Sequence, residues 1–318
     1  MQDSGPILQA GKMLVSTMIQ ANYWSRIWTY LGERFPPGQH GFLIAAFSFS
    51  AISLSREIRG VAGFIGPQAY AGAYFFSLLF FLHLRLADEH KDADEDALVR
   101  PHLPVPRGLV SLQELRYLGY ITLLLQFVLL CLFPVVIPLA VAAYAWQYLM
   151  LKEFFMPEFI KKHAWLYVGS HMLILPLVDL VSSGFDWAVA GHAFPLGFIW
   201  IFGLSYSNGL VLEVGRKIRH ESQEEPGYAT YSATMGGAKA TLFWLLLMAV
   251  NIGLAAFIGH FLYSATVAAI VAVIGCACCI PAVLFYNEAT PARSKLIEKC
   301  AGIWALGMYL GLGTAHYF

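Results

Sequence analysis

The amino-acid sequence predicts an all-α integral membrane protein with about nine transmembrane helices. Two features of the composition carry this prediction: apolar residues (AVILMFWYC) make up 58% of the 318 residues, and charged residues make up only 13%. A soluble domain carries about 25% charged residues, so this chain has too little charge to cover a water-facing surface. In addition, the apolar residues gather into stretches of about 20, the length of a helix that spans a bilayer. Soluble, disordered and collagen-like classes are therefore excluded.

Nine stretches have this length. In order, they cover about residues 40–56, 67–86, 112–133, 135–153, 164–183, 194–214, 239–258, 260–286 and 298–317. Pro134 and Pro138 lie where the third and fourth meet, and because proline ends helices we expect a tight hairpin there. Residues 1–36 are predicted to be an amphipathic segment in the membrane interface. Residues 37–318 are predicted to form a single domain whose nine helices bundle around a central cavity.

The basic residues indicate the orientation of the chain. If the nine spans alternate in direction, all of the 20 Lys and Arg residues except Arg56 and Arg59 fall on the side of the N-terminus. Basic residues accumulate on the cytoplasmic side of membrane proteins, so the sequence predicts a cytoplasmic N-terminus. We expect a multi-pass protein of a bacterial inner membrane. The net charge of zero gives no indication of a nucleic-acid partner.

A dense acidic run ends the second span. Its six carboxylates, all within nine residues, are Asp88, Glu89, Asp92, Asp94, Glu95 and Asp96. If the span continues as one helix, Glu89, Asp92 and Asp96 share a face at i, i+3 and i+7, with Asp88 beside them. Like charges at a helix C-terminus repel one another and oppose the helix dipole, so the arrangement calls for a cation. Mg²⁺, which binds carboxylates together with substrate phosphates, is one explanation, and a hydrated acidic cap at the membrane surface is the other.

A turn rich in proline follows the acidic run. The residues that turn the chain away from the helix are Pro101, Pro104, Pro106 and Gly108. Arg100 and Arg107 flank the turn, where their guanidinium groups suit phosphate oxygens. Ordinary arginines of a cytoplasmic surface would also account for them.

Residues 88–108 resemble, without a gap, the first aspartate motif of the UbiA superfamily of intramembrane prenyltransferases. That motif reads Asn-Asp-x-x-Asp-x-x-x-Asp and continues through a basic residue and a proline into a Pro-x-Pro-x-Gly turn. Asp88 falls on the asparagine, and Glu89, Asp92 and Asp96 fall on the three aspartates. Leu103 replaces the usual arginine after the first proline, which removes one phosphate contact. The nine predicted spans are also similar to this superfamily, so the resemblance covers most of the chain.

The loop after the sixth span, residues 213–237, matches the family's second aspartate motif only in part. Gly227, Thr230 and Gly236 fall on its Gly, Thr and Gly. Its two usual aspartate positions hold Gln223 and Arg219 instead.

Two explanations of this departure remain open, beside that of a solvated loop. Glu221 and Glu225, at i and i+4, could bind a second metal ion in a shifted register. Alternatively, Arg216, Lys217 and Arg219 bind phosphate directly and one metal ion suffices.

The resemblance implies Mg²⁺-dependent transfer of a polyprenyl group from an allylic isoprenyl diphosphate to an unidentified lipophilic acceptor in the bilayer, with the active site on the cytoplasmic side. It implies catalytic, metal-binding roles for Asp88, Glu89, Asp92 and Asp96. Glu221 and Glu225, in the shifted register, are candidate further metal ligands. The expected diphosphate ligands are Arg100, Arg107, Arg216, Lys217 and Arg219.

A transporter or permease, with a divalent metal ion as the candidate substrate, is the alternative function. Asp179 lies deep within the fifth span, and a carboxylate inside a membrane is a candidate functional group. His171 is the only nearby candidate partner on the same helix. Against transport, the other carboxylates gather at one surface, and the sequence shows no clear internal repeat of the kind that many transporters have.

Overall fold

A computed structural model describes residues 22–61, 63–228 and 230–317 of the chain, apart from the side chain of Lys161. Helices make up most of these residues, turns and short irregular segments connect them, and none of the described residues lies in a β-strand. The all-α prediction is therefore confirmed. Most of the predicted interfacial segment, residues 1–21, lies outside the described residues, which begin just before the first helix.

Fourteen α-helices follow one another along these ranges. They are α1 (Tyr23–Arg34), α2 (Pro37–Ile58), α3 (Pro67–Lys91), α4 (Ala93–Val99), α5 (Leu112–Leu132), α6 (Ile137–Leu151), α7 (Pro157–Lys162), α8 (Ala164–Met172), α9 (Ile174–Trp187), α10 (Ile199–Arg216), α11 (Tyr231–Met235), α12 (Gly237–Leu262), α13 (Ala265–Asn287) and α14 (Pro291–Thr314). Short 3₁₀ turns lie at Pro134–Val136, Glu153–Phe155, Leu196–Phe198, Glu221–Gln223 and Ala315–Tyr317.

Eight helical segments among the described residues are long and apolar enough to cross a membrane. They are Pro37–Ile58, Pro67–Lys91, Leu112–Leu132, Pro134–Leu151, Ala164–Trp187, Leu196–Arg216, Gly237–Leu262 and Ala265–Asn287. Helix α14 occupies the predicted ninth span, but its first turns carry charged side chains, among them Arg293, Lys295 and Glu298. A multi-pass membrane protein is thus confirmed, whereas the count of nine spans and the cytoplasmic N-terminus stay predictions.

The chain divides into two compact units. The first comprises the described parts of Met1–Phe42 and Leu78–Phe127. In its core, α1 buries Ile27 and Tyr30 among Leu86 of α3 and the residues Leu109 and Leu115. Removing such side chains from water contributes about 1.5–3 kcal/mol each, so this packing fixes α1 beside the end of α3.

The second unit comprises Leu43–Ser77 and Val128–Phe318. Within it, α12 packs on α13 and α13 on α14, while α10 contacts α8, α9, α12 and α14. Close approach depends on Gly275 of α13, since a Cβ atom there would lie 2.5 Å from Ile252 Cγ1 and 2.9 Å from Trp304 Cζ3. The single domain predicted for residues 37–318 stays a prediction.

The two basic residues that depart from the charge asymmetry share one buried carboxylate of the second unit. Arg59 Nη2 donates to both oxygens of Asp186, at 2.7 and 2.8 Å. Arg56 Nη1 and Ser55 Oγ donate to the same group, at 3.2 and 2.8 Å. Because a buried carboxylate needs partners, these two arginines have a structural role that accounts for their position.

We expect Gly275→Ala to lower the stability of the protein, because the added methyl group must displace Ile252 or the buried Trp304 ring. Overpacking of this kind costs about 1–3 kcal/mol, measurable as a lower Tm in detergent micelles. Gly253→Ala on α12 is the matched control, since nothing lies within 4 Å of its Cβ position. Equal Tm values for the two variants would contradict this account of the helix packing.

Candidate active site

The acidic run does not continue as one helix, and the prediction of an unbroken helical face with four carboxylates is wrong. Helix α3 ends at Lys91 and α4 begins at Ala93, with Asp92 between them at φ −96° and ψ 5°. Carboxylates at the C-terminus of a helix oppose its dipole, whereas carboxylates at an N-terminus are stabilised by it. The break turns part of the run into the first turn of a new helix, which carries Asp94, Glu95 and Asp96.

Burial separates the four carboxylates of the first motif into two pairs. Glu89 and Asp96 are each only 2% exposed. Asp88 and Asp92 are half-buried. Burial also raises the pKa of the Asp92 carboxyl, an effect that the charge of Lys91 opposes and that of Asp96 reinforces.

Arginines neutralise both buried carboxylates. Glu89 Oε1 accepts hydrogen bonds from Arg34 Nε of α1 and from Arg85 Nη2 of α3, each at 2.7 Å. Asp96 is paired with Arg100, one turn further along the chain. Arg100, an expected diphosphate ligand, therefore contacts a motif carboxylate in this structure.

The turn after α4 is formed as the prolines and glycine predict. Gly108 has φ +78°, a conformation that favours glycine. Arg107 donates to both carboxylate oxygens of Glu33 of α1, at 2.9 and 2.6 Å, and to the carbonyl oxygen of His102 at 2.9 Å. The second expected phosphate ligand of this turn thus also has protein partners.

The carboxylates as placed do not fit a metal ion. Across the described ranges, no three His, Cys, Asp or Glu side chains converge in a way that could hold one. Glu89 and Asp96, two of the four expected ligands, contact arginines. Magnesium binding therefore stays a prediction of the sequence.

A basic cluster, Arg216 and Lys217, lies at the end of α10 in the second unit around a carboxylate that the site prediction did not include. Glu213 is 9% exposed. Its Oε2 lies 2.6 Å from Arg216 Nη2, and its Oε1 lies 2.9 Å from Lys217 Nζ. Lys217 Nζ also lies 5.9 and 6.0 Å from the ring centres of Tyr228 and Tyr231. Burial raises the pKa of the Tyr231 phenol, so that group is neutral at physiological pH.

The remaining residues of the second motif stabilise its loop through an ion pair and hydrogen bonds. Arg219 Nη1 lies 3.5 Å from Glu298 Oε2 of α14, and its backbone N–H donates to Ser232 Oγ at 2.7 Å. The Thr230 side chain caps α11 and donates to Glu224 Oε2 at 2.6 Å.

Two glycines of this loop that match the family's second motif are explained by their backbone conformation. Gly227 and Gly236 have φ of +86° and +87°, values that favour glycine. Glu221 and Glu225, the expected ligands of a second metal ion, are both exposed. Both explanations of this loop, a second metal ion and direct phosphate binding, therefore stay predictions.

A left-handed turn, Glu153–Phe155, joins α6 to α7. Its residues have φ of +47°, +52° and +59°, although none of them is glycine. Such a conformation costs about 1–2 kcal/mol for each residue, so the surrounding structure must hold it. The turn places the Glu153 carboxylate, 6% exposed, beside His171 of α8. No signal in the sequence predicts this conformation.

The intramembrane carboxyl group of Asp179 belongs to α9, whereas His171 belongs to α8, where it pairs with Glu153. Asp179 is 1% exposed. Ser205 and Tyr309 face its carboxyl group, and its Oδ2 makes no hydrogen bond of normal geometry with the described residues.

We expect Arg34→Met to destabilise the protein, because the buried Glu89 loses one of its two arginine partners. Removing one partner of a buried ion pair costs up to about 3–5 kcal/mol, and the remaining Arg85 should reduce this loss. Arg107→Met breaks the more exposed pair with Glu33 and should cost at most about 1 kcal/mol. Chemical or thermal unfolding in detergent measures both, and equal losses would contradict the ranking.

Asp92→Asn should stabilise the folded protein at neutral pH. The raised pKa means that the folded state binds the Asp92 proton more tightly than the unfolded state. Stability contributed by this group is therefore lost as pH rises from about 3.9, the ordinary value, through the raised folded-state pKa. Asparagine does not ionise and therefore removes that loss of stability. The substitution also breaks no capping hydrogen bond, because the Asp92 side chain makes none.

Measurement of Tm across pH tests this sign. We expect the variant to melt higher than the parent at pH 7, and the difference to shrink below about pH 4, where both states of the parent are protonated. A lower Tm of the variant at pH 7 would contradict it.

Comparison with known proteins adds one structural relative. No family model and no curated protein matches the chain. A solved structure described as digeranylgeranylglyceryl phosphate synthase in membranes, a UbiA-superfamily prenyltransferase, is similar, with a TM-score of 0.59. The match covers 92% of this chain and 99% of that chain at 16% sequence identity, a level at which the likeness concerns the fold. The chain therefore shares the fold of that membrane synthase, which is the fold that the resemblance of its first acidic motif implies.

Proposed function

We propose that this protein transfers a polyprenyl group from an allylic isoprenyl diphosphate to a lipophilic acceptor within the membrane. One observation carries the proposal: nearly the whole chain has the fold of a prenyltransferase, and that fold bears the acidic motif of residues 88–108. We place the reaction on the cytoplasmic side of a bacterial inner membrane, where the basic residues gather.

The basic cluster at the end of α10 supports binding of the donor's diphosphate. Arg216 and Lys217 both contact the carboxylate of Glu213, which holds the two cations in place. Half of the Arg216 side chain is exposed, so its guanidinium can meet phosphate oxygens in the bidentate manner that suits arginine.

The leaving diphosphate takes the electron pair of the allylic C–O bond with it, and the carbon left behind becomes a cation. Aromatic ring faces attract cations. The rings of Tyr228 and Tyr231 already lie about 6 Å from the ammonium of Lys217, and they support stabilisation of such a carbocation close to the diphosphate. The apolar helices fit a long isoprenyl chain dissolved among them.

The metal-transport alternative gains no specific support. The groups that face Asp179 are the hydroxyls of Ser205 and Tyr309, whereas a divalent metal ion on its way through a membrane needs further carboxylates or imidazoles. We therefore retain prenyl transfer as the proposed function.

Transfer can be measured without knowing the acceptor. Bacterial membranes that contain the protein are incubated with Mg²⁺ and radiolabelled geranylgeranyl diphosphate, and label in acid-stable extracted lipid is counted. We expect label well above that of membranes lacking the protein. We also expect a loss of at least about 100-fold in Asp92→Ala, because the resemblance implies that Asp92 binds the Mg²⁺ ion that neutralises the leaving diphosphate, a contribution worth several kcal/mol.

Asp94→Ala is the matched control for this assay, because Asp94 is an exposed carboxylate of the same run that falls outside the motif positions. It should transfer label as the parent does. Equal labelling by the parent and Asp92→Ala, or none by the parent with geranylgeranyl or farnesyl donors, would overturn the proposed function. A further sample with EDTA tests the magnesium prediction, which activity equal to that with Mg²⁺ would overturn.

A further inference from the structure

The left-handed turn of Glu153–Phe155 brings a buried carboxylate next to a buried imidazole. Strained backbone of this kind persists where the surrounding structure holds it, and it is concentrated at functional sites. Here its effect is specific: Glu153 Oε2 lies 4.0 Å from His171 Nε2, and both side chains are more than nine-tenths buried.

Hydrogen bonding identifies which nitrogen of His171 is basic. Its Nδ1 lies 2.8 Å from the backbone carbonyl oxygen of Tyr167. A carbonyl oxygen has no proton to give, so Nδ1 must carry the hydrogen in this contact. In the neutral ring Nε2 is then the unprotonated nitrogen, and it is the one on the side of Glu153. The negative charge of Glu153, at this distance, favours the imidazolium that forms when Nε2 accepts a proton.

Aromatic rings enclose the pair. The Tyr167 ring stacks on the imidazole, with centroids 3.9 Å apart, and the edge of Phe154 lies at 6.1 Å. Trp146 packs against Phe154 at 5.3 Å and is fixed by a 3.0 Å hydrogen bond from its Nε1 to the Ser170 carbonyl oxygen. A basic nitrogen in such surroundings suits an apolar ligand that brings a single acidic proton.

The pair and the basic cluster belong to the same unit and have related aromatic neighbours. Tyr167, which stacks on His171, interacts electrostatically with Tyr231. Tyr231 stacks on Trp165 at 5.4 Å and lies 6.0 Å from Lys217 Nζ. Tyr167 and Tyr231 thus link the surroundings of the imidazole to those of Lys217.

We propose that His171 is the catalytic base that takes the proton of the acceptor's hydroxyl group, and that Glu153 positions and stabilises it. The inference rests on the proposed function. The allylic C–O bond breaks and its electron pair leaves with the diphosphate. A lone pair of the acceptor oxygen forms the new C–O bond, and the hydroxyl proton passes to His171 Nε2, from which water later removes it.

Two partial reactions separate this inference from the proposed function. Ionisation of the donor needs no acceptor base, and it can be followed as positional isotope exchange between bridging and non-bridging oxygens of ¹⁸O-labelled geranylgeranyl diphosphate. Transfer to lipid needs the base. We expect His171→Gln to lose transfer by at least about 100-fold, the range of general base catalysis, while exchange stays within about threefold of the parent.

His163→Gln is the matched control. Its Nδ1 lies 2.8 Å from the carbonyl oxygen of Phe159, four residues earlier, as His171 does with Tyr167, but it is exposed. It should transfer and exchange as the parent does.

Glu153 is tested by combination. Glu153→Gln should lower transfer by about tenfold, and adding it to His171→Gln should cost nothing more, because residues that act as a unit are not additive. A purely structural role would instead give additive losses and a matching fall in exchange.

The inference is overturned if His171→Gln transfers as the parent does. It is also overturned if this variant loses exchange and transfer together, or if the losses in the double variant add. A parent that neither exchanges nor transfers would overturn the proposed function itself, which is a distinct result.

Discussion

Pairing of buried carboxylates with arginine or lysine is the interaction on which both units depend. An ionised carboxylate away from water is tolerated only when it is paired and hydrogen-bonded. The chain carries few charges, and several of them lie in such clusters: Glu89 with Arg34 and Arg85, Asp96 with Arg100, Asp186 with Arg56 and Arg59, and Glu213 with Arg216 and Lys217. Each cluster joins residues of different helices or fixes the end of one helix, so charge pairing also fixes geometry.

Each unit also has one place that is not optimised for stability. Asp92 is half-buried, and burial raises the pKa of its carboxyl. The turn at Glu153–Phe155 has a left-handed backbone without glycine. Natural proteins retain features of this kind where activity requires them. In both places the fold holds a candidate functional group, a carboxylate or a carboxylate–imidazole pair, at a cost in stability. Favourable interactions elsewhere in the protein must compensate for that cost.

The sequence predicted the helical membrane fold and the acidic motif because both depend on local patterns. Hydropathy located the spans, and Gly108, Gly227 and Gly236 marked turns that do adopt positive φ. Distant partners left no such pattern: nothing at positions 34 and 89 indicates that they pair. Helical periodicity does not predict the break at Asp92, because periodicity takes no account of the helix dipole. The dipole disfavours carboxylates at the C-terminus of one long helix and favours them at the N-terminus of a new one.

The contacts of Glu213, by contrast, can be predicted from the sequence. Glu213 stands three and four residues before Arg216 and Lys217, the spacing at which helical side chains meet, and the structure pairs them. The left-handed turn of Glu153–Phe155 cannot be predicted in this way, since none of its three residue types favours a positive φ.

Binding of the donor's diphosphate at the basic end of α10 is the central claim, and an experimental structure with the unreactive donor geranylgeranyl thiodiphosphate tests it most directly. The account predicts phosphate oxygens within hydrogen-bond distance of Arg216 and Lys217. Diphosphate density bound elsewhere in the protein, with Arg216 and Lys217 still turned to Glu213 alone, would contradict it.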